Sequence, residues 1–264
     1  MKGDARAEIT QGIVDYLWDY CEDHSIDLLW GKPLVGFADA NHPRFAEFRS
    51  IVHPEHYMPS DILPGATIVV SYFLPFERQV ARTNIPGDKP SPEWAFSYLM
   101  SNEASIGLGE RVARIVRGMG FEAVSPRDIK RAPGTIVSRW SQRHIANLAG
   151  LGTFGMNNML ITEKGCCGRF YSVVTTLDVE PDGIPGTEYC TYRRNGGCGL
   201  CMDKCRSGAL TPDGFERDVC DALCNDNGGM FNGLSVCGKC VVGMPCSHRN
   251  PSSEVVGNRL GYRK

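Results

Sequence analysis

Along residues 5–24 the apolar positions Ile9, Ile13 and Leu17 and the rings of Tyr16 and Tyr20 recur every three or four residues, with acids and His24 between them. That period is helical and predicts an opening helix over 5–24. The pattern then changes. LVGFADA (34–40) and ATIVVSYFLPF (66–76) are short, β-branched or aromatic runs bounded by Gly and Pro, and they read as strands. The connection HPRFAEFRSIVHPEHYMPSDILPG is loop-rich, with one short helix expected inside it. Helical character returns over 91–119, where Ser91 suits an N-cap and Pro92 the first helical position, while Gly107 and Gly109 predict a break. FEAVS is a short strand, and IVSRWSQRHIANLA (136–149) a helix closed by Gly150. NMLITE and RFYSVVTTLDV follow as strands around the turn KGCCG. Helices alternating with strands imply an α/β (α+β) body over 1–182. PDGIPGTE links it to a module at 183–247, and a polar stretch, 248–264, reads as a tail.

Composition changes this picture at one point. Of 12 cysteines in 264 residues, only Cys21 precedes Gly165, and the rest fall between Cys166 and Cys246. A disulfide scaffold is short and cysteine-dense throughout, so the segregation points instead to a globular body carrying a metal module. Cys21 belongs to the buried stripe of the first helix. The net charge of −2 argues against a protein devoted to coating nucleic acid or anionic membrane. No apolar run reaches the ~18 residues of a membrane span. The start MKGDARAEITQ carries Asp4 and Glu8 where a signal peptide needs its apolar stretch, so a cytoplasmic location is expected. Between Arg111 and Arg143 stand eight Lys/Arg, including Arg127 and Lys130, against Glu122 and Asp128. A solvated helix face explains that run better than an RNA contact.

The module reads Cys190-x7-Cys198-x2-Cys201-x3-Cys205, then Cys220 and Cys224, then Cys237-x2-Cys240-x5-Cys246. Two-cluster ferredoxins wrap each iron–sulfur cluster with a close triplet of cysteines and borrow a distant one from the other group. That crossing rule assigns Cys190, Cys198, Cys201 and Cys246 to one cluster. Cys205, Cys237 and Cys240 go to the other, with Cys220 and Cys224 competing for its fourth place. Two CxxC pairs also fit zinc, but zinc leaves Cys190, Cys205 and Cys246 without a role. GCCG reads as a tight turn holding two ordinary thiols, Cys166 and Cys167.

The run ANLAGLGTFGMNNMLI (146–161), followed by GCCGRF, VVTTLDV and the cysteine module with GAL, resembles the epoxyqueuosine reductases and, more distantly, the reductive dehalogenases. The resemblance covers about residues 30–246 and implies a nitroreductase-like body that holds cobalamin, then a ferredoxin-like domain with two [4Fe-4S] clusters. It favours Cys220 over Cys224 as a ligand. It places the corrinoid beside Gly152, Thr153, Phe154, Gly155, Asn157 and Asn158, where glycines permit close approach and asparagines match neutral amides. Electrons would pass from a flavodoxin or ferredoxin through the clusters to cobalt, and on to a small-molecule or corrinoid substrate.

The departures from the family pattern bear on substrate. The position of the family's proton-donating Asp falls on Ile136, with Ser138 and Arg139 as the nearby candidates to replace it. The family's Tyr–His pair is not evident around Ser101–Ser105. The cysteine spacings x7 and x5 are longer than usual, no Pro follows Cys205 or Cys246, and the short stretch after Cys246 predicts no helical-repeat tail. The expectation is an iron–sulfur, cobalamin-dependent reductase that does not act on epoxyqueuosine tRNA and has no RNA or membrane partner. The alternative is an electron-transfer or corrinoid-handling protein without substrate chemistry of its own.

Overall fold

The computed structural model describes residues 4–126, 129 and 131–252. In chain order the elements are α1 (Ala5–Asp23), β1 (Leu34–Asp39), α2 (Arg44–Ile51), α3 (Pro59–Ile62), β2 (Ile68–Pro75), α4 (Arg78–Thr83), α5 (Pro92–Gly118), β3 (Ala123–Val124) and α6 (Gln142–Leu148). Then come β4 (Gly152–Phe154), β5 (Leu160–Thr162), β6 (Gly168–Thr175), α7 (Thr191–Asn195), α8 (Leu200–Asp203), β7 (Leu210–Thr211), β8 (Gly214–Phe215) and α9 (Arg217–Gly228). They form two compact units. The first takes residues up to Leu74, Met100–Leu151 and Gly168–Ile184; the second takes Pro75–Leu99, Gly152–Cys167 and the residues from Pro185 on. The sequence boundary near 182 thus lies close to a junction, but 75–99 and 152–167 are drawn from the expected body into the second unit.

The first unit is a four-stranded sheet in the order β1-β2-β6-β3 with helices packed on it. β1 and β2 run antiparallel from Leu34↔Phe73 to Asp39↔Ile68, and β3 pairs antiparallel with β6 at Ala123↔Thr175. β2 is buried along its whole length, as its nearly continuous apolar run requires, and its Ser71 hydroxyl donates to the Tyr171 carbonyl at 3.4 Å. α1 begins at Asp4, whose carboxylate accepts the N–H groups of Arg6 and Ala7 at 3.0 and 3.3 Å, and it buries Ile9, Ile13 and Leu17 on one stripe. β1 and the α6 region meet at Gly36, where a Cβ would collide with the carbonyl oxygen of Ala149. Only glycine allows that approach.

Three expectations need correction. Residues 92–118 form one unbroken helix, capped by the Ser91 hydroxyl, which accepts the Trp94 N–H at 3.1 Å. Gly107 and Gly109 do not break it, because close packing occupies the space of their missing side chains: a Cβ on Gly107 would strike the Tyr16 hydroxyl, and one on Gly109 the Ser125 hydroxyl. The helix expected over 136–149 is confined to α6. Ahead of it Ser138 turns the chain locally, accepting the Trp140 N–H at 3.1 Å and donating to the Trp140 carbonyl at 2.9 Å, a competition with helix that serine often wins. The loop-rich connection holds two helices, α2 and α3, rather than one.

In the second unit the glycine run 152–154 is itself a strand, β4, paired antiparallel with β5 from Gly152↔Thr162 to Phe154↔Leu160. Gly152 is needed there, since a Cβ would overlap the Ile161 carbonyl. β7 and β8 form a second small antiparallel pair just after Cys205. The molecule is therefore a mixed α/β protein with small antiparallel pairings. No helix among the described residues is long and apolar enough to cross a membrane. The expected tail from 253 on, like Arg127, Asp128 and Lys130 of the basic stretch, lies outside the described residues.

Candidate functional site

The second unit gathers cysteines from four separate places in the chain. Cys190 stands at the start of α7, its N–H donating to Glu188 Oε1 at 2.9 Å. Thr153 holds that carboxylate from β4, donating to the same oxygen at 2.8 Å while accepting the Tyr189 N–H at 2.8 Å. Cys198 precedes α8 and Cys201 lies within it. Cys246 arrives on the loop 241–247, which Ser247 fixes by donating to the Val241 carbonyl and accepting the Met244 N–H, both at 2.7 Å. The four thiols, with Gly155 and Asn157, line one cavity. Burial, then the neighbouring Cys246, Cys190 and Cys198, pushes the Cys201 thiol up to about 12.

A second group forms alongside. Cys237 has Cys220 and Cys205 as electrostatic neighbours, and Cys240 has Cys237, Cys220 and Cys205. Burial is the main cause that raises both thiols. Cys220 and Cys224, one turn apart on α9, share a thiol–thiol hydrogen bond that drives Cys224 upward. The 237–240 segment is strapped to the loop after α4. Asn84 Nδ2 donates to the Cys237 carbonyl at 3.0 Å, and the buried Lys239 ammonium donates to the carbonyls of Asn84 and Pro86 at 2.9 and 2.8 Å. Asn157 ties the two groups together, its Nδ2 donating to the Cys240 carbonyl at 3.2 Å.

The chemistry of this donor set is that of soft, mutually repelling thiolates. In the protonated form the sulfurs share hydrogen bonds; deprotonated, they need a cationic partner to sit so close in a buried place. Among the described residues no three His, Cys, Asp or Glu converge on a point that could hold a single metal ion. A mononuclear zinc site draws its sulfurs to about 2.3 Å from one centre. Four thiols from separate segments around one cavity match in kind the all-cysteine ligand sets that iron–sulfur clusters use.

The residues assigned to a corrinoid are placed differently. Gly155 and Asn157 help wall the cysteine cavity, and Asn157 is buried, with Oδ1 accepting the Met159 N–H at 3.2 Å and Nδ2 serving Cys240 and the Cys166 sulfur. Thr153 spends its hydroxyl on Glu188 and Tyr189, and Gly152 and Phe154 belong to β4. Asn158 takes a left-handed turn at φ 56°. Gly155 and Asn157 thus serve the cysteine cavity, and the engaged side chains of Thr153 and Asn157 do not fit a cradle of amide partners for a corrin. Ser138 and Arg139, in the first unit, are engaged locally. Ser138 bonds the Trp140 backbone, and Arg139 faces Glu55 at 3.5 Å and lies 5.3 Å over the Tyr57 ring. In the basic stretch, Arg117 likewise pairs with Glu110 and the Ala123 carbonyl.

One feature escaped the reading of the sequence. The turn GCCG lies directly beside Cys246. The N–H groups of Cys166 and Cys167 donate to the carbonyls of Cys246 and Ser247 at 2.9 and 3.0 Å, and the fully buried Cys166 thiol shares a hydrogen bond with the Cys246 thiol. Gly165 makes this possible, at φ +81° with the Ser247 carbonyl where a Cβ would be. The glycines flanking the pair were a signal of tight packing, but nothing in the spacing says against what.

No protein-family model and no curated protein sequence matches the chain. Solved structures do. An epoxyqueuosine reductase from Bacillus subtilis, with a catalytic aspartate loop swung out of its active site, matches with a TM-score of 0.51 at 17% identity, over 90% of this chain and 66% of its own. An epoxyqueuosine reductase with an epoxyqueuosine-modified tRNA stem loop matches with a TM-score of 0.52 at 16% identity, over 90% of this chain and 64% of its own. A catabolic reductive dehalogenase matches with a TM-score of 0.56 at 16% identity, over 82% of this chain but 30% of its own. The likeness is one of fold. The chain spans about two thirds of the length of those reductases and under a third of that of the dehalogenase.

Proposed function

We propose that the chain is an iron–sulfur oxidoreductase whose second unit, ferredoxin-like in its use of cysteine, carries two [4Fe-4S] clusters. Cys190, Cys198, Cys201 and Cys246 would hold one, and Cys205, Cys220, Cys237 and Cys240 the other. The observation that carries this reading is the cavity lined by four cysteines that lie up to 56 positions apart in sequence, from Cys190 to Cys246. The spacing rule names the same four. A bound cluster would supply one-electron chemistry at low potential; the chain supplies thiolates and fixes the ligand loops through Ser247, Glu188 and Lys239. The adjacency of the two groups through Asn157 suits electron passage from one cluster to the other.

The electron acceptor is a small molecule or a corrinoid. The fold shared with reductases and dehalogenases favours cobalamin, on a nitroreductase-like first unit, but residues other than the 152–158 run would have to hold it. Ile136 offers no proton for epoxide opening, which argues against a tRNA epoxide as substrate. The test is a metal and sulfide assay on anaerobically purified protein, with a spectrum after cobalamin is added. About eight iron and eight acid-labile sulfide per chain are expected. Stoichiometric zinc without sulfide defeats the cluster reading; clusters with an unchanged corrin spectrum leave electron transfer to a docked acceptor as the function.

A further inference from the structure

We propose that a basic cavity on the second unit docks an acidic one-electron carrier protein of the ferredoxin kind, and so marks where electrons enter. The cavity holds about 250 Å³. Arg78 and Arg82, one turn apart on α4, line it together with His248 and Arg249, two and three residues after Cys246. The three arginines are exposed and His248 is half-buried. The Lys204 ammonium adds a further positive charge, reaching 3.0 Å from the Cβ position of Gly243, which also lines the cavity. Of the acids nearby, Glu77 interacts with His248, and Asp88 is taken up by Arg206 at 3.2 Å. On a chain whose net charge is −2, this is a local reversal of sign.

The position of the cavity decides what it is for. Met244 and Pro245 line it, and the same two residues line the four-cysteine cavity. A partner seated on the arginines therefore has only that segment between it and Cys246. A rim of exposed arginines steers a large anionic surface from a distance and holds it loosely, as a carrier that must leave after each transfer requires. The step is a bare electron transfer. One reduced carrier cluster loses one electron, one cluster here gains it, and no bond or proton moves.

This rests on the two-cluster reading, so the experiment separates them. Iron and sulfide are measured first, on wild type and on the double variant Arg78→Glu/Arg82→Glu. Binding of oxidised plant-type ferredoxin, an acidic protein, is then followed by calorimetry, which does not depend on cluster content. Cluster reduction is timed with reduced ferredoxin and with the methyl viologen radical, a small cation. At low ionic strength the double variant should bind ferredoxin at least about tenfold more weakly and be reduced by it about 10- to 100-fold more slowly, while the viologen rate changes less than about twofold. The wild-type ferredoxin rate should also fall as salt rises past 0.1 M, where the screening length is about 10 Å. Missing iron with intact ferredoxin binding defeats the cluster reading alone. The docking proposal is overturned by equal rate losses with both reductants, by ferredoxin binding indifferent to the charge reversal, or by an RNA stem-loop or inorganic phosphate that takes the cavity when ferredoxin does not.

Discussion

The two units solve the problem of closing a core by different means. The first buries Ile9, Ile13, Trp30, Phe45, Phe48, Tyr72 and Phe73 almost completely, on a sheet in which β2 is buried along its whole length. Its two buried indoles are paired: Trp30 with Ser101 and Trp140 with Ser172, each at 2.9 Å. The second has short helices, short strands and long connections, and its centre is a set of thiols. Burial of apolar surface holds the first without help. The second keeps cysteines in a buried place where their charged forms repel, an arrangement that is stable only when protonated or metal-bound. On the proposed two-cluster reading, folding of the second unit is linked to its clusters, whereas the first closes on apolar burial.

The sharpest way to break this contrast is to remove a thiol. Cys237→Ser should lower iron from about eight to about four per chain and expose the segment from Pro185 on to proteolysis, since metal ligation carries much of a small domain's folding free energy. Because Trp94 lies in the second unit against Gly238, the variant is made in a Trp94→Phe background; fluorescence from the remaining tryptophans, all in the first unit, should hardly change. Full iron retention in this variant would show that Cys224, already hydrogen-bonded to Cys220, takes the vacant place or that Cys237 is no ligand. Collapse of the first unit's fluorescence together with the iron would mean that its core is not self-contained.

The same contrast governs how much could be read from sequence. Period reveals the first unit well: α1, β1, β2 and β6 stand where the apolar pattern put them, because a buried stripe or run leaves a periodic trace. It failed at Gly107 and Gly109, where glycine signals a neighbour's close approach rather than flexibility, and nothing local reveals a tyrosine from another helix. In the second unit period says little, but ligand spacing is a strong signal, and it picked the four cysteines that line the cavity. What spacing cannot show is the layer behind the ligands. Asn157 looked like a cofactor contact and is a tie between cysteine loops; Cys166 looked idle and touches Cys246. The basic cavity escaped too, since Arg78 and Arg82 are distant in sequence from His248 and Arg249.

A pH titration sharpens the comparison at the next level. His56 is buried in the first unit between Phe48 and Trp140, with Nδ1 donating to the Tyr57 carbonyl at 2.8 Å and Nε2 accepting the Ser141 N–H at 3.0 Å. Both ring nitrogens are used in the neutral form, and burial lowers its pKa from 6.5 to about 4. The unfolded chain therefore binds this proton more readily than the folded one. Stability from this group is complete above pH 6.5, declines as pH falls from 6.5 to 4, and levels off below; the loss is at most about 3 kcal/mol. Denaturant unfolding followed at Trp140 should show the slope in wild type, and His56→Gln should flatten it. An unchanged slope in the variant would assign the pH dependence to other groups.

The smallest effect is expected at Cys166, a cysteine of the second unit to which the proposed reading gives no ligand role. Cys166 is enclosed, with its N–H on the Cys246 carbonyl, its sulfur accepting from Asn157 Nδ2 at 3.6 Å, and its thiol against that of Cys246. A ligand's loss removes iron; a neighbour's replacement by a smaller hydroxyl does not. Cys166→Ser keeps both a donor and an acceptor in that space, so iron content should stay at the wild-type value and stability should fall by about 1 kcal/mol, the ordinary scale of a perturbed buried hydrogen bond. Cys166→Ala removes the donor to Cys246. With cluster present it should shift the reduction potential and hasten iron loss to a chelator, because hydrogen bonds to ligand sulfur favour the reduced cluster. Loss of about four iron in Cys166→Ser would make Cys166 a ligand and displace Cys246 or Cys190 from the first group. An identical potential in Ala, Ser and wild type would reduce Cys166 to packing alone.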